Sequence, residues 1–368
     1  MSRSFHWFPR REAMLPLSYL STFLLLWLGK GWSDHPPGLG TGIVFFLWIF
    51  AVMLGSSFAV VRHADHLAEI LKEPLGTLIL TLAVTGMEVM MISALMFHGN
   101  NPALARDTMF SVVMIVLGGL LGSALLTGGL RFGEQNVNLK GVNSFLGLIL
   151  PLSVFSLILP NVTEKGGEGM FSRLTSVSIV LLSLGIYGVF LAVQTRRHRE
   201  FFNEADWTPE TTGEHSEGKH SVGKEALLLL LHMLPVVVLS KKMALLLDFG
   251  LERGGLPLQL GGLVVATLIL APEGLAAIRA ASRNQIQRSV NVLLGSVLAT
   301  ISLTVPAALA IGLMAGKPVL LGLSPTDMTL LGVTLASCLV TFGQGQTNIL
   351  QGFVHLMLFA AYIVLMFD

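Results

Sequence analysis

The sequence predicts an all-α polytopic membrane protein with about eleven transmembrane helices. Of its 368 residues, 53% are hydrophobic and only 12% charged, about half the charged fraction of an ordinary globular chain. The mean hydropathy is +0.73. Apolar runs of about 20 residues, the length a helix needs to cross the hydrocarbon core, recur along the whole chain. These runs are continuous rather than alternating, which excludes the strands of a membrane β-barrel.

The runs fall at 13–31, 42–61, 75–97, 108–130, 142–161, 172–195, 225–240, 256–280, 287–315, 318–343 and 348–367, the seventh short and the ninth long. The first follows Arg3, Arg10 and Arg11 and leads into Lys30-Gly-Trp-Ser-Asp34, with no small-x-small cleavage pattern. It is expected to be a retained helix rather than a signal peptide. With the N-terminus inside, most of the 23 Lys and Arg fall in the inner connections. The positive-inside rule therefore predicts a cytoplasmic N-terminus in a bacterial inner membrane.

One long polar stretch interrupts the pattern. Residues 196–224 begin basic, turn acidic and carry His198, His215 and His220. The stretch holds too few apolar residues to order itself and is expected to be a largely flexible linker. The chain around it reads as residues 1–41, a tail and extra helix; 42–195, five helices; 196–224, an acidic cytoplasmic loop; and 225–368, five more helices. Glu88 and Glu273, and likewise Ser111 and Ser296, are each separated by 185 residues. Five helices per half would invert the second repeat relative to the first, a build that sets ion sites near mid-membrane.

A net charge of +1 and the lack of a basic patch exclude a nucleic-acid partner. The single cysteine, Cys338, excludes an internal disulfide and is expected to serve packing. No HExxH, GxSxG, paired intramembrane aspartates or Walker A motif is present, so neither an enzyme nor an ATP-driven pump is expected. No cofactor is implied.

Glu88 lies in TLILTLAVTGMEVMMISALMF. A carboxylate inside a bilayer costs several kcal/mol and is a functional candidate by default. Thr77, Thr81 and Thr85 share its helix face, giving a stripe of oxygens of the kind hard cations take as ligands. Glu273 follows Pro272 in LVVATLILAPEGLAAIRAA. There the missing proline N–H loosens the helix and frees a carbonyl. Ser111, Ser296, Thr300 and Thr304 could add hydroxyl ligands or bond back to their own helices. His232 and His355, in apolar spans, are expected to be packing histidines, and Lys241 and Lys242 interfacial anchors.

The segments EPLGTLILTLAVTGMEVMMISALM and APEGLAAIRAASRNQIQRSVNVLLGSVLATISLTVP, with the acidic midloop, closely resemble the bacterial ChaA-type calcium/sodium–proton antiporters. These form part of the cation/proton exchanger branch of the calcium/cation antiporter superfamily. The resemblance runs from about Phe46 to Phe367. It implies two inverted five-helix repeats behind one extra helix, motif glutamates at Glu88 and Glu273, a Gly-Ser motif at Gly295 and Ser296, and Ser111 as the first-repeat serine. The wider superfamily carries Gly-Asn-x-x-Glu in both repeats. Here Thr85 and Leu270 stand where the asparagines would be, which removes two amide ligands and keeps Na+ and K+ beside Ca2+ as substrates.

The function this implies is exchange of cytoplasmic Ca2+ (and/or Na+, K+) for external protons by alternating access, the two species competing for a site shared by Glu88 and Glu273. Tolerance of alkaline conditions follows from the resemblance. A Na+(K+)/H+ antiporter with little calcium transport, or a cation channel using the same glutamates, are the alternatives.

Overall fold

In hydrocarbon every backbone N–H and C=O must find a partner within the protein, and a helix supplies one for each interior group. The computed structural model describes residues 12–32, 37–71, 75–98, 102–194 and 221–368, and these are helical almost throughout. The helices are α1 (Met14–Leu28), α2 (Leu39–Leu71), α3 (Leu75–His98), α4 (Leu104–Met114), α5 (Leu121–Phe132), α6 (Leu139–Ser153), α7 (Arg173–Ala192), α8 (Val222–Gly254), α9 (Gln259–Ala281), α10 (Ile286–Ala299), α11 (Val305–Ala315), α12 (Pro325–Phe342) and α13 (Ile349–Leu365). Among the described residues, eight helical stretches are long and apolar enough to cross a membrane. Three shorter apolar helices, Met14–Leu28, Ile79–Ala94 and Ile349–Leu365, accompany them. The polar stretch 196–224 lies outside the described residues up to residue 220.

Two helices outrun the spans expected from hydropathy. Both α2 and α8 are 33 residues long, about 50 Å at 1.5 Å per residue, against a hydrocarbon core of about 30 Å. The span expected at 42–61 continues through Arg62–Leu71, and the short one expected at 225–240 continues through Lys241–Gly254. The charged segments are helix ends rather than connections, because their apolar residues keep the helical period after the charges begin.

Among the described residues, π-helical segments lie inside or beside longer helices. Ile115–Leu120 joins α4 to α5, Val154–Ile158 follows α6, and Thr300–Thr304 joins α10 to α11. Ile115 and Thr300, where two of these segments start, are separated by the same 185 residues as the two glutamates. Two short strands were not expected: Gln135–Asn136 pairs antiparallel with Gln346–Thr347.

The helices form two compact units. In the first, α2 lies along α8, and α1 and α3 each pack on both. Its interior holds Ile49, Met53, Val60, Met87, Met91, Val236 and Leu239. Pro235 inside α8 has no N–H for the Leu231 carbonyl one turn back. The Tyr19 hydroxyl of α1 donates to that carbonyl at 3.1 Å. At the other end of α1, Lys242 Nζ donates to the Gly29 carbonyl at 2.6 Å and lies over the Trp32 ring. Lys242 thus caps a helix terminus, more specific work than the interfacial anchoring expected of it.

The second unit is built on close backbone approaches. Gly122 of α5 and Gly352 of α13 meet so closely that a Cβ on Gly122 would lie 2.8 Å from the Leu356 nitrogen. Small residues permit this kind of packing between membrane helices. Gly262 of α9 faces the α4 backbone in the same way, 2.6 Å from a built Cβ to the Asp107 carbonyl oxygen. Phe145, Leu294, Val297, Cys338 and Phe342 fill the interior.

Candidate functional site

In the first unit, α3 places Thr81, Thr85 and Glu88 on one face by the i, i+4, i+7 spacing. Glu88 is 3% exposed and Thr85 4%, with Thr81 half-buried. The side chain of Thr77 lies outside the described residues. Met87 and Met91, both fully buried, flank the carboxylate with apolar surface. Gly86, beside them, brings α8 near: a Cβ there would sit 4.0 Å from Met233 Cε.

In the second unit, Glu273 is half-buried on α9, with its Oε2 sealed from the surface. Pro272 leaves the Leu268 carbonyl without its helical donor. Gly274 lets α9 settle on the π segment, since a Cβ would fall 2.6 Å from Leu120 Cδ2. That segment packs on both α9 and α10, so the helices carrying Glu273 and Ser296 pack around one stretch of π helix.

The hydroxyl candidates differ in their surroundings. Ser111 is fully buried, and its Oγ shares a 2.6 Å hydrogen bond with the Tyr362 hydroxyl. Ser296 is half-buried, and Thr300 opens the second π segment at 2% exposure. Within that segment, Ser302 Oγ and Thr304 Oγ1 are buried with no hydrogen-bond partner among the described residues. A π turn shifts the backbone register and often marks a functional position. No sequence signal had singled out Ser302.

Tyr362 also borders a cavity of about 310 Å3, lined by Asp107, Phe110, Gln259, Asp327 and Asp368. Asp107 is held by Arg106 at 2.8 Å. The cavity lies where α4, α9 and α12 begin and α13 ends. Sequence reasoning missed it because four separate elements contribute. His355 is fully buried and bonds Thr341 Oγ1 at 2.9 Å, as a packing histidine should.

Long apolar helices, a buried carboxylate at Glu88 and a hydroxyl-rich π segment at Thr300–Thr304 define a polytopic membrane protein of the transporter class. Two stretches, residues 41–196 and 225–367, match the sodium/calcium exchanger protein family, and the chain belongs to that family. It is 40% identical to the sodium-potassium/proton antiporter ChaA of Escherichia coli (strain K12), over 88% of this chain and 93% of that protein. The native YfkE structure superposes with a TM-score of 0.71 at 18% identity, covering 96% of this chain and 97% of that one. An H+/Ca2+ exchanger, CAX, superposes at 0.66 and 15% identity, covering 96% and 88%.

Proposed function

We propose that this protein is a secondary antiporter of a bacterial inner membrane that exchanges cytoplasmic Na+, K+ or Ca2+ for external protons, and that Glu88 and Glu273 carry the exchanged ions. The observation that carries the site reading is the depth of Glu88, a carboxylate 3% exposed between fully buried methionines in an apolar helix. Such a group is stable when neutralised and unstable as a bare anion. A proton and a cation each neutralise it, so the two compete, and that competition couples their fluxes without a fuel molecule. The shared 185-residue offset of the glutamates, serines and π segments supports two structural repeats, read here as inverted. Thr81, Thr85, Ser111, Ser296 and Thr300 are the candidate auxiliary ligands. Ser111 would have to release Tyr362 to serve. With the N-terminus inside, the acidic cavity beside Tyr362 opens outward and admits external protons.

Na+ and K+ stand ahead of Ca2+ in this reading. The relative at 40% identity is named a sodium-potassium/proton antiporter, and Thr85 and Leu270 offer no amide oxygen to an ion that takes six to eight. The test is proton movement in everted vesicles at about pH 8, with Na+, K+ and Ca2+ added separately, in wild type, Glu88→Gln and Glu273→Gln. Cation-triggered proton movement absent from both variants supports the reading. Cation entry without proton movement replaces it with a channel.

A further inference from the structure

At one end of the first unit, the residues before α1, the last turns of α2 and the first turns of α8 bring Glu12, Arg62, His63, His66, Glu225 and His232 together. His63 is the hub. It is 1% exposed, and its Nδ1 lies 2.6 Å from Glu225 Oε2. Its Nε2 lies 3.3 Å from Glu12 Oε2 and 3.3 Å from Arg62 Nη2. His232, fully buried, stacks on the His63 ring at 5.5 Å between centroids. Its own Nε2 lies 3.5 Å from the same Glu12 Oε2.

The proposed site uses the His63 tautomer that has its proton on Nδ1, one of the two that its neighbours allow. In it the Nε2 that faces Arg62, whose guanidinium can only donate, is the lone-pair nitrogen and Nδ1–H donates to Glu225. A carboxylate behind the far nitrogen of a histidine is the usual outer support of a metal-bound imidazole, fixing its tautomer and raising its basicity. One carboxylate oxygen of Glu12 and one imidazole nitrogen each of His63 and His232 lie within 4.8 Å of one another. Bonds of about 2.0–2.1 Å in a tetrahedron put neighbouring ligand atoms about 3.3–3.4 Å apart. The observed 3.3 and 3.5 Å fit that geometry.

We propose that Glu12, His63 and His232 form a three-ligand site for a divalent transition metal of the Zn2+ class, with Glu225 orienting His63 from behind. Two nitrogen donors and one oxygen suit Zn2+ or Co2+ and disfavour Ca2+ and Mg2+, which take oxygen. The bound metal clips the start of α1 to α2 and α8, a structural or regulatory role separate from the ion that is carried. On binding, Arg62 Nη2 leaves His63 Nε2 and keeps its 3.1 Å pair with Glu12 Oε1. His66, 3.2 Å from Glu225 Oε2, remains in the outer shell. Metal at His232 Nε2 moves that ring's proton to Nδ1, which has no hydrogen-bond partner among the described residues. The affinity is therefore lower than that of a site with both histidines supported, by about the 10–100-fold that outer partners contribute.

The experiment uses the purified full-length protein, free of any histidine tag, titrated in detergent with Co2+ and then Zn2+. One equivalent of Co2+ should bind with the visible absorption of tetrahedral coordination and be displaced by Zn2+. Zn2+ should also raise the Tm. Glu12→Gln and His232→Gln should each weaken Co2+ binding at least tenfold and remove the Zn2+-induced Tm shift, while Glu88→Gln keeps both. Glu12 precedes the first helix, so Glu12→Gln reads the site without opening the core, and its metal-free Tm should match wild type. A wild type without the cobalt absorption overturns the proposal. So does binding unchanged in both variants, or binding lost instead when His198, His215 and His220 are replaced by Gln.

Discussion

The two units hold polar groups inside apolar surroundings by different means. The first uses long helices and gathers its charges at their ends, where Glu12, Arg62, His63, His66 and Glu225 meet. Glu88 is the exception, alone in kind on the buried face of α3. The second spreads polarity along its length as hydroxyls, helix-interior prolines and π segments, and locks its helices by glycine contacts. A charge-clustered unit tolerates small changes in side-chain volume along its helices, whereas a glycine-locked unit does not. The comparison ties each unit's sensitivity to how its helices touch.

The largest expected effect falls on the exception. Glu88→Gln should reduce cation-triggered proton flux to the level of empty vesicles while the protein still extracts and elutes as wild type. Glu273→Gln, though less deeply buried, should do the same. If only one of them silences exchange, the carboxylates are unequal and the repeats divide the work. The pH dependence sharpens the point. If protons and cations compete for these carboxylates, raising the pH removes the competitor, so the apparent KM for the cation should fall from pH 7 to pH 9. A KM independent of pH would separate proton release from cation binding.

Smaller effects test the packing contrast directly. Gly262→Ala would drive a methyl into the Asp107 backbone, and backbone cannot rotate aside. A loss of about 1–3 kcal/mol is expected, the usual range for overpacking, read as a lower Tm in detergent. In the first unit, Gly86→Ala meets, among the described residues, only Met233 Cε at ordinary contact distance and should keep or raise stability, by up to about 1 kcal/mol, as a helix-interior Gly→Ala does. Equal losses at both positions would erase the contrast. Between the two, Tyr19→Phe removes the donor to the Leu231 carbonyl and should cost about 0.5–1.5 kcal/mol. An unchanged Tm would mean that the proline-freed carbonyl finds another partner.

Much of the fold could be read from the sequence because a membrane helix announces itself by length and hydropathy. The eleven apolar runs correspond to eight long helical stretches and three shorter helices. What escaped was whatever hydropathy does not encode. The ends of α2 and α8 continue past their first charges because helix period, unlike mean hydropathy, is insensitive to an arginine. The π segments follow from backbone register, which Ile115–Leu120 does not advertise. Glu88 stood out as a single residue in the wrong solvent. The histidine cluster could not, since Glu12, His63 and His232 are ordinary one by one and become a site only when α2, α8 and the residues before α1 meet. His63 and His66 at i, i+3, with Glu225 and His232 at i, i+7, were the faint signal available.

The bond from Tyr19 to Leu231 has a consequence for biogenesis. Its partners are separated by 212 residues, and a bacterial ribosome adds about 5–20 residues per second. For about 10–40 s the first helix therefore sits in the bilayer before the α8 segment that completes its packing has been made. During that interval its own apolar length and its packing on α2 keep it inserted. The first unit closes late in synthesis, and a chain released early would leave Tyr19 and the Gly29 carbonyl exposed to quality-control proteases.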